Sequence, residues 1–292
     1  MRIFRGFEEV KGIRNPVVTT GSFDGVHIGH KMILNRLAAL AKKHGGESVL
    51  ITFDPHPRKV LYPDSAGKDL KLINSREEKL RLLSKAGLDN LIIVNFTLEF
   101  SRITSEQFVK DLLHDILHAK VVVVGFNHHF GFNKEGDYRQ LWGWRHKYDF
   151  EAEEIPEQEV QHETVSSTKI RKAISEGYIQ RANAYLDHYY LVMGIPDKEP
   201  HAELPEFFRV PVTEECKLLP SPGMYAISAA AGENSSKGMA LITGEGETRP
   251  QLLLQIFEDS DAFQGITTDI LFHKKIHGSV NLTDNKISLK LD

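Results

Sequence analysis

Four short apolar runs in the first 126 residues constrain the fold more than any other feature of this chain: "NPVV" (15–18), "SVLITFDP" (48–55), "NLIIVNF" (90–96) and "AKVVVVGF" (119–126). Segments of helical character separate them. Ile33, Leu34, Leu37, Leu40 and Ala41 recur at helical spacing after the first run. "SREEKLRLLSKAG" (75–87) predicts a helix with Ser75 as its cap, Glu78 at capping-box spacing and Gly87 at its end. "TSEQFVKDLLHDIL" (104–117) predicts another, with Thr104 as a cap. "DFEAEEIPE" carries a further strand into an acidic loop, and "SSTKIRKAISEGYIQRANAYLD" (166–187) reads as a capped helix followed by a short second one. Strands alternating with helices predict an α/β domain built on a parallel sheet.

The pattern changes after "YYLVMG" (189–194). "GIPDKEPHAELPEFF" is rich in proline and acid and reads as a linker. Beyond it, "FFRVPV", "GMYAISAAA", "KGMALIT", "PQLLLQIFE", "TTDILFHKKI" and "KISLKL" are short, strand-like and separated by turn signals, which predicts a small β-barrel or sandwich. The expected division is a first domain over 1–190 and a second over 191–292. Charge follows the same division: residues 1–190 carry 27 Lys and Arg against 25 Asp and Glu, whereas residues 191–292 carry 9 against 15. An anionic substrate is therefore expected in the first domain. The overall charge of −4 does not favour nucleic acid as a partner. No apolar run approaches the ~20 residues of a membrane span, and "MRIFRGFEEVKG" lacks the apolar core of a signal peptide. A single cysteine, Cys216, excludes an intramolecular disulfide, and the expected location is the cytoplasm.

Three loops concentrate the chemistry, each at the carboxyl end of an expected strand, where α/β sheets bind their ligands: "GSFDGVHIGH" (21–30), "FDPHP" (53–57) and "GFNHHFG" (125–131). In the first, His27 and His30 stand three apart and share a face in the first turn of a helix. With the free N–H groups of that turn they suit phosphate and the charge that develops as it transfers. Asp24 is the nearest carboxylate able to orient the loop or meet magnesium through water. An isolated H-x-x-H is more often a pair of surface histidines; the glycine-flanked strand–loop–helix around this one favours function. Zinc needs a third protein ligand, which nothing nearby supplies, so no protein metal ligand is assigned.

"GSFDGVHIGH" resembles the H-x-G-H signature of the nucleotidyltransferase superfamily, and "SSTKIR" (166–171), about 140 residues on, resembles its second signature at a late helix N-terminus. Together with "ITFDPHP" and "VVVVGFNHHFGFNKEGD", these motifs are similar to the adenylyltransferase module of the bacterial bifunctional riboflavin kinase/FMN adenylyltransferases, the FAD synthetases, over about residues 15–193. The resemblance implies a Rossmann-like transferase domain that joins ATP, with Mg²⁺, to FMN, giving FAD and pyrophosphate. It implies that Gly21, Ser22, Phe23 and Asp24 form the ATP loop with His27 and His30. On the same grounds Ser167 and Thr168 cap the late helix and meet phosphate, beside Lys169 and the triphosphate-reaching Arg171. Phe53, Pro55, His56 and Pro57 shape the flavin pocket, and Asn127 bonds the isoalloxazine edge. ATP and FMN are then the partners.

The second domain resembles the family's kinase barrel in "LLPSPGMYAI" and "DAFQGITTDILFHKKI" but has no counterpart of the family's "GFPTAN". By a rough pairing, the family's catalytic glutamate falls on Leu254, and leucine accepts no proton. The expectation is a kinase-like barrel without kinase activity; the alternatives are a fully bifunctional enzyme and a flavin- or nucleotide-binding regulator without turnover.

Overall fold

A computed structural model describes residues 1–157, 159–160, 163–244, 250–258, 260–276, 280–283 and 286–289. By its contacts the chain divides into two units, residues 1–70 with 80–165, and residues 71–79 with 166–292. Thus 71–79, which lie in sequence between the runs 48–55 and 90–96 of the first sheet, belong with the C-terminal part of the chain. Helical residues 166–187, read with the first domain from sequence, also group with the second unit.

The first unit holds six strands, β1 (Arg2–Phe4), β2 (Val17–Thr20), β3 (Ser48–Asp54), β4 (Asn90–Asn95), β5 (Val121–Gly125) and β6 (Glu151–Ile155). They form one sheet in the order β1-β4-β3-β2-β5-β6, and every neighbouring pair is parallel. The apolar runs are strands buried on both faces, and successive residues face opposite layers. Val18, Val49, Ile51, Ile92, Val94, Val122 and Val124 pack with Phe108, Val109, Leu113 and Leu141. Their neighbours Val17, Leu50, Leu91, Ile93, Val121 and Val123 pack with Leu34, Leu37, Leu40 and Ala41 of helix α1 (Ile28–Lys43). Edge strand β1 was not foreseen. It has three residues, of which only Phe4 is buried, too few for a periodicity.

The remaining helices follow the caps. Pro57–Leu61 is α2 and Arg76–Lys85 is α3. At α3 the capping box is real: Glu78 N–H donates to Ser75 Oγ at 3.2 Å, and Ser75 N–H donates to Glu78 Oε2 at 2.9 Å. Gly87 ends that segment with φ 77°, a conformation that glycine adopts at no steric cost. Thr104 and Gln107 make a second capping box around α4 (Ser105–Gln107). There the structure departs from expectation, because Phe108–Ile116 continues as a π-helix, with wider i→i+5 bonding than the α-helix read from the sequence. Tyr138–Trp144 is α5, Ser167–Ser175 is α6 and Ile179–Leu186 is α7.

Between β6 and α6 lies a hairpin of β7 (Glu159–Val160) and β8 (Glu163–Thr164). The second unit then carries β9 (Tyr190–Gly194), β10 (Pro200–His201), β11 (Leu204–Val210), β12 (Gly223–Ala231), β13 (Asn234–Thr243), β14 (Gln251–Ile256) and β15 (Thr268–Lys275). They form one antiparallel sheet in the order β10-β11-β14-β13-β12-β15-β9. Among the described residues no pairing joins β9 to β10, so the strands expected of a small barrel stand as an open seven-stranded sheet. A two-stranded ribbon, β16 (Val280–Thr283) with β17 (Lys286–Leu289), follows; the last two residues of "KISLKL" lie outside the described ones.

One contact ties the two sequence segments of the second unit together. Lys217 Nζ donates to Glu78 Oε2 at 2.6 Å, to Ile73 O at 2.6 Å and to Leu191 O at 2.8 Å. The other carboxylate oxygen of Glu78 accepts from Met193 N–H at 2.9 Å. Both side chains are 1% exposed. A buried ion pair persists only where its remaining donors and acceptors are satisfied, and here they are. Glu78 therefore serves two structures, the cap of its own helix and the core of the second unit.

Candidate active site

The strand order of the first sheet reverses between β2 and β5, and at such a point the loops leaving the two strands diverge and leave a crevice. An open cleft of about 460 Å³ lies there, lined by residues from the loops after β2, β3, β5 and β6.

The loop after β2 is held in a strained form. Phe23 and Val26 adopt φ of 48° and 42°, and Gly25 between them 93°. Positive φ is costly for a β-branched residue, and such strain persists only where the surroundings over-determine it. Here they do. Phe23 is 2% and Val26 1% exposed, and Val26 N–H donates to Phe23 O at 3.3 Å, closing a turn. Two buried apolar anchors thus set the loop, and the next residue, His27, is the N-cap of α1, one position earlier than the first-turn placement read from the sequence. Its side chain makes no capping bond to the helix. His27 and His30 stack at 3.6 Å between ring centroids with planes 18° apart, and Phe23 stacks on His30 at 4.4 Å. Gly29 lies between them, and a Cβ there would meet the His27 ring at 3.4 Å, an ordinary contact. Two imidazoles beside the positive end of a helix form a hydrogen-bonding surface suited to phosphate.

The opposite wall is aromatic. Phe53, at the end of β3, meets Phe96 edge-on at 5.4 Å and Phe100 at 6.0 Å. Beyond it the Asp54–Pro55 peptide is cis, and His56 caps α2 through Nδ1, which accepts from Arg58 N–H at 3.2 Å. After β5 the chain turns tightly: Phe126 N–H donates to Ile155 O at 2.9 Å and His128 N–H to Gly125 O at 3.1 Å. Asn127 stands at the apex with φ 57°, a left-handed conformation that asparagine tolerates. Burial, and then the neighbouring His129, hold the His128 imidazole down to about 4, so it is neutral across the physiological range.

Of the residues singled out from sequence, Gly21, Ser22, Phe23, His27, His30, Phe53, His56, Pro57 and Asn127 line this one cleft. Asp24 is buried in the loop, 4% exposed, and does not line it. Pro55 is exposed and also lies off the lining. Ser167, Thr168, Lys169 and Arg171 lie on α6 of the second unit. The capping oxygen there is that of Ser166, which accepts from Lys169 N–H at 3.4 Å; Ser166 has the extended backbone a cap requires, while Ser167 and Thr168 are already helical. The sequence reading missed Arg58, Phe126, His128 and His129, all on the lining. The two histidines stand inside a loop already singled out; His128 is half-buried and His129 exposed.

A parallel sheet with a phosphate-suited histidine pair at its switch point defines an α/β nucleotide-binding protein of the nucleotidyltransferase class. The sequence profile of the FAD synthetases matches residues 10–169. The chain belongs to the FAD synthetase family. It is 32% identical over 267 residues to a bifunctional riboflavin kinase/FMN adenylyltransferase of Listeria monocytogenes, an alignment covering 90% of this chain and 81% of that one. It is 33% identical over 215 residues to an FAD synthetase of the same organism, covering 74% and 82%. Among solved structures, that of a macrolide-efflux protein from Streptococcus pneumoniae superposes with a TM-score of 0.84 at 23% identity, covering 96% of this chain and 92% of that one; the likeness is one of fold. No helix among the described residues is long and apolar enough to cross a membrane.

Proposed function

We propose that the chain transfers the adenylyl group of ATP to FMN. A phosphate oxygen of FMN attacks the α-phosphorus of ATP, the bond to the bridging oxygen of pyrophosphate breaks, and FAD and pyrophosphate leave. No covalent intermediate is needed; positioning and charge stabilisation suffice. The observation that carries this reading is the stacked His27–His30 pair at the start of α1, inside the cleft at the switch point. His27, His30 and the N–H groups of that turn hold the phosphates and stabilise the departing charge. Lys169 and Arg171 are assigned to the triphosphate on the resemblance of "SSTKIR" alone. Phe53, His56, Pro57 and Asn127 form the flavin side, with Pro55 shaping the turn.

Magnesium fits as the counter-ion of ATP. Among the described residues no group of three or more His, Cys, Asp or Glu side chains could hold a metal ion, and Mg²⁺ takes most of its ligands from phosphate and water. When bound, the ion neutralises phosphate charge.

The second unit is proposed to lack riboflavin kinase activity. Leu254 pairs with Phe208 and Ala240 in the middle of the sheet, and Leu252, Leu253 and Leu254 are all at most 1% exposed. A slip of one or two residues in the pairing with the family therefore still brings no carboxylate to that place. Incubating the full chain with ATP, Mg²⁺ and either FMN or riboflavin tests both statements. FAD is expected from FMN. ATP-dependent FMN from riboflavin would overturn the second statement, and absence of FAD from FMN the first.

A further inference from the structure

The last residue of β15, Lys275, directly opposes Tyr225 of β12, so the two side chains share one face of the second unit's sheet. Lys275 is half-buried, whereas its neighbour Lys274, on the opposite face, is exposed. Two glycines make room for the lysine chain. A Cβ at Gly223 would stand 2.6 Å from Lys275 Cε. One at Gly177, between α6 and α7, would stand 3.0 Å from Lys275 Cδ and 2.6 Å from Ser221 Oγ.

The hydrogen bonds of this corner run in one direction. Lys275 Nζ donates to Ser221 Oγ at 3.0 Å. Ser221 Oγ lies 3.1 Å from Tyr225 Oη, and the Tyr225 hydroxyl donates to Ser221 O at 2.6 Å. A carbonyl oxygen only accepts, so the phenol proton is committed to it and the serine proton turns to the phenol oxygen. Neither hydroxyl proton then points at the amine, whose lone pair is left unused once it sheds a proton. Lys275 makes no ion pair among the described residues, and Glu176, beside Gly177, pairs with Lys172 at 3.9 Å. Burial lowers the amine below its ordinary range, which raises its neutral fraction.

We propose that Lys275 is a nucleophilic amine at which the second unit accepts an acyl group from an acyl phosphate. The nitrogen lone pair attacks the carbonyl carbon, the bond from that carbon to the phosphate oxygen breaks, inorganic phosphate leaves, and the surplus proton on nitrogen passes to water. A small donor suits a half-buried amine, and phosphate departs without an acid, which this corner does not supply. Lys275 lies so close to Gly177 and Gly223 that the enlarged, uncharged side chain has to leave the corner. The site lies wholly in the second unit and stands whether or not the first unit transfers adenylate.

Treating the full chain with acetyl phosphate near neutral pH tests it. A chymotryptic peptide cut after Phe272 carries both lysines, and tandem mass spectrometry reads them separately. Exposure alone would make Lys274 the faster; Lys275 is expected to react faster than Lys274 by about threefold or more. Tyr225→Phe removes the oxygen that receives the serine proton, so Ser221 donates to the amine instead and the preference is expected to vanish, with Lys274 unchanged. Adding Ser221→Ala to that variant removes the new donor and should restore the preference. Labelling of Lys275 no faster than of Lys274 in the wild type, or a preference unmoved by Tyr225→Phe, would overturn the proposal.

Discussion

The cleft of the first unit and the sheet of the second are made of different materials. The cleft lies where parallel strands end, and much of its chemistry is backbone: the N–H groups at the start of α1, a turn closed by Phe23 and Val26, a second turn closed around Asn127. The second unit is an antiparallel sheet, where backbone groups are spent on the ladder and only side chains remain to act. A backbone-built site survives drift in sequence, whereas a side-chain site is lost with one residue, the change proposed above for the leucines of β14.

The largest test of that contrast is structural. Lys217→Met leaves Glu78 charged and unpaired in the core of the second unit, which should cost about 3–5 kcal/mol. Thermal unfolding should show the loss, and Glu78→Gln combined with Lys217→Met should recover most of it. Unchanged melting of the single variant would show the pair to be dispensable.

Next in size, His27→Ala and His30→Ala should each lower FAD formation by about 10²–10³ in kcat, as loss of a donor to developing charge does, with the circular dichroism of the fold retained. Near-normal turnover in both would leave the backbone alone as the catalytic surface and sharpen the contrast further.

A third test uses pH. The folded state keeps His128 neutral down to about 4, whereas the unfolded chain takes up its proton near the ordinary 6.5. Stability from this residue is therefore complete above about 6.5 and falls as pH drops toward 4, by at most roughly 3 kcal/mol at about 1.4 kcal/mol per pH unit. In His128→Phe the melting temperature should lose that part of its acid dependence; parallel profiles for the two proteins would count against it.

The smallest effect concerns Asn127. Replacement by alanine should weaken FMN by about 1–3 kcal/mol through a lost hydrogen bond and leave ATP less affected. Equal changes in the two KM values would mean that Asn127 acts only by holding its left-handed turn.

The four central strands of the first sheet, β2 to β5, were legible because each run is apolar on both faces, and α1 and α3 because their caps and spacing are local. His27 and His30 were legible for the same reason: loop, pair and helix adjoin in sequence. What stayed hidden is non-local or a matter of burial. The π-helical stretch 108–116 has the composition of an α-helix. His128 is marked only by its surroundings, and Phe96 and Phe100 only by the ring they meet. Glu78 read as half of a capping box, which it is, but its bond to Lys217 spans 139 residues.

That bond bears on how a chain like this evolves. A shortened gene ending before Lys217 would still encode Glu78, and would leave its carboxylate without the ammonium group and, if cut before Met193, without that amide as well. Residues 71–79 would lose the core they belong to, and a lineage with no use for the second unit's chemistry could not simply discard it. Selection can then act on the chemistry of the second unit and on its scaffold separately.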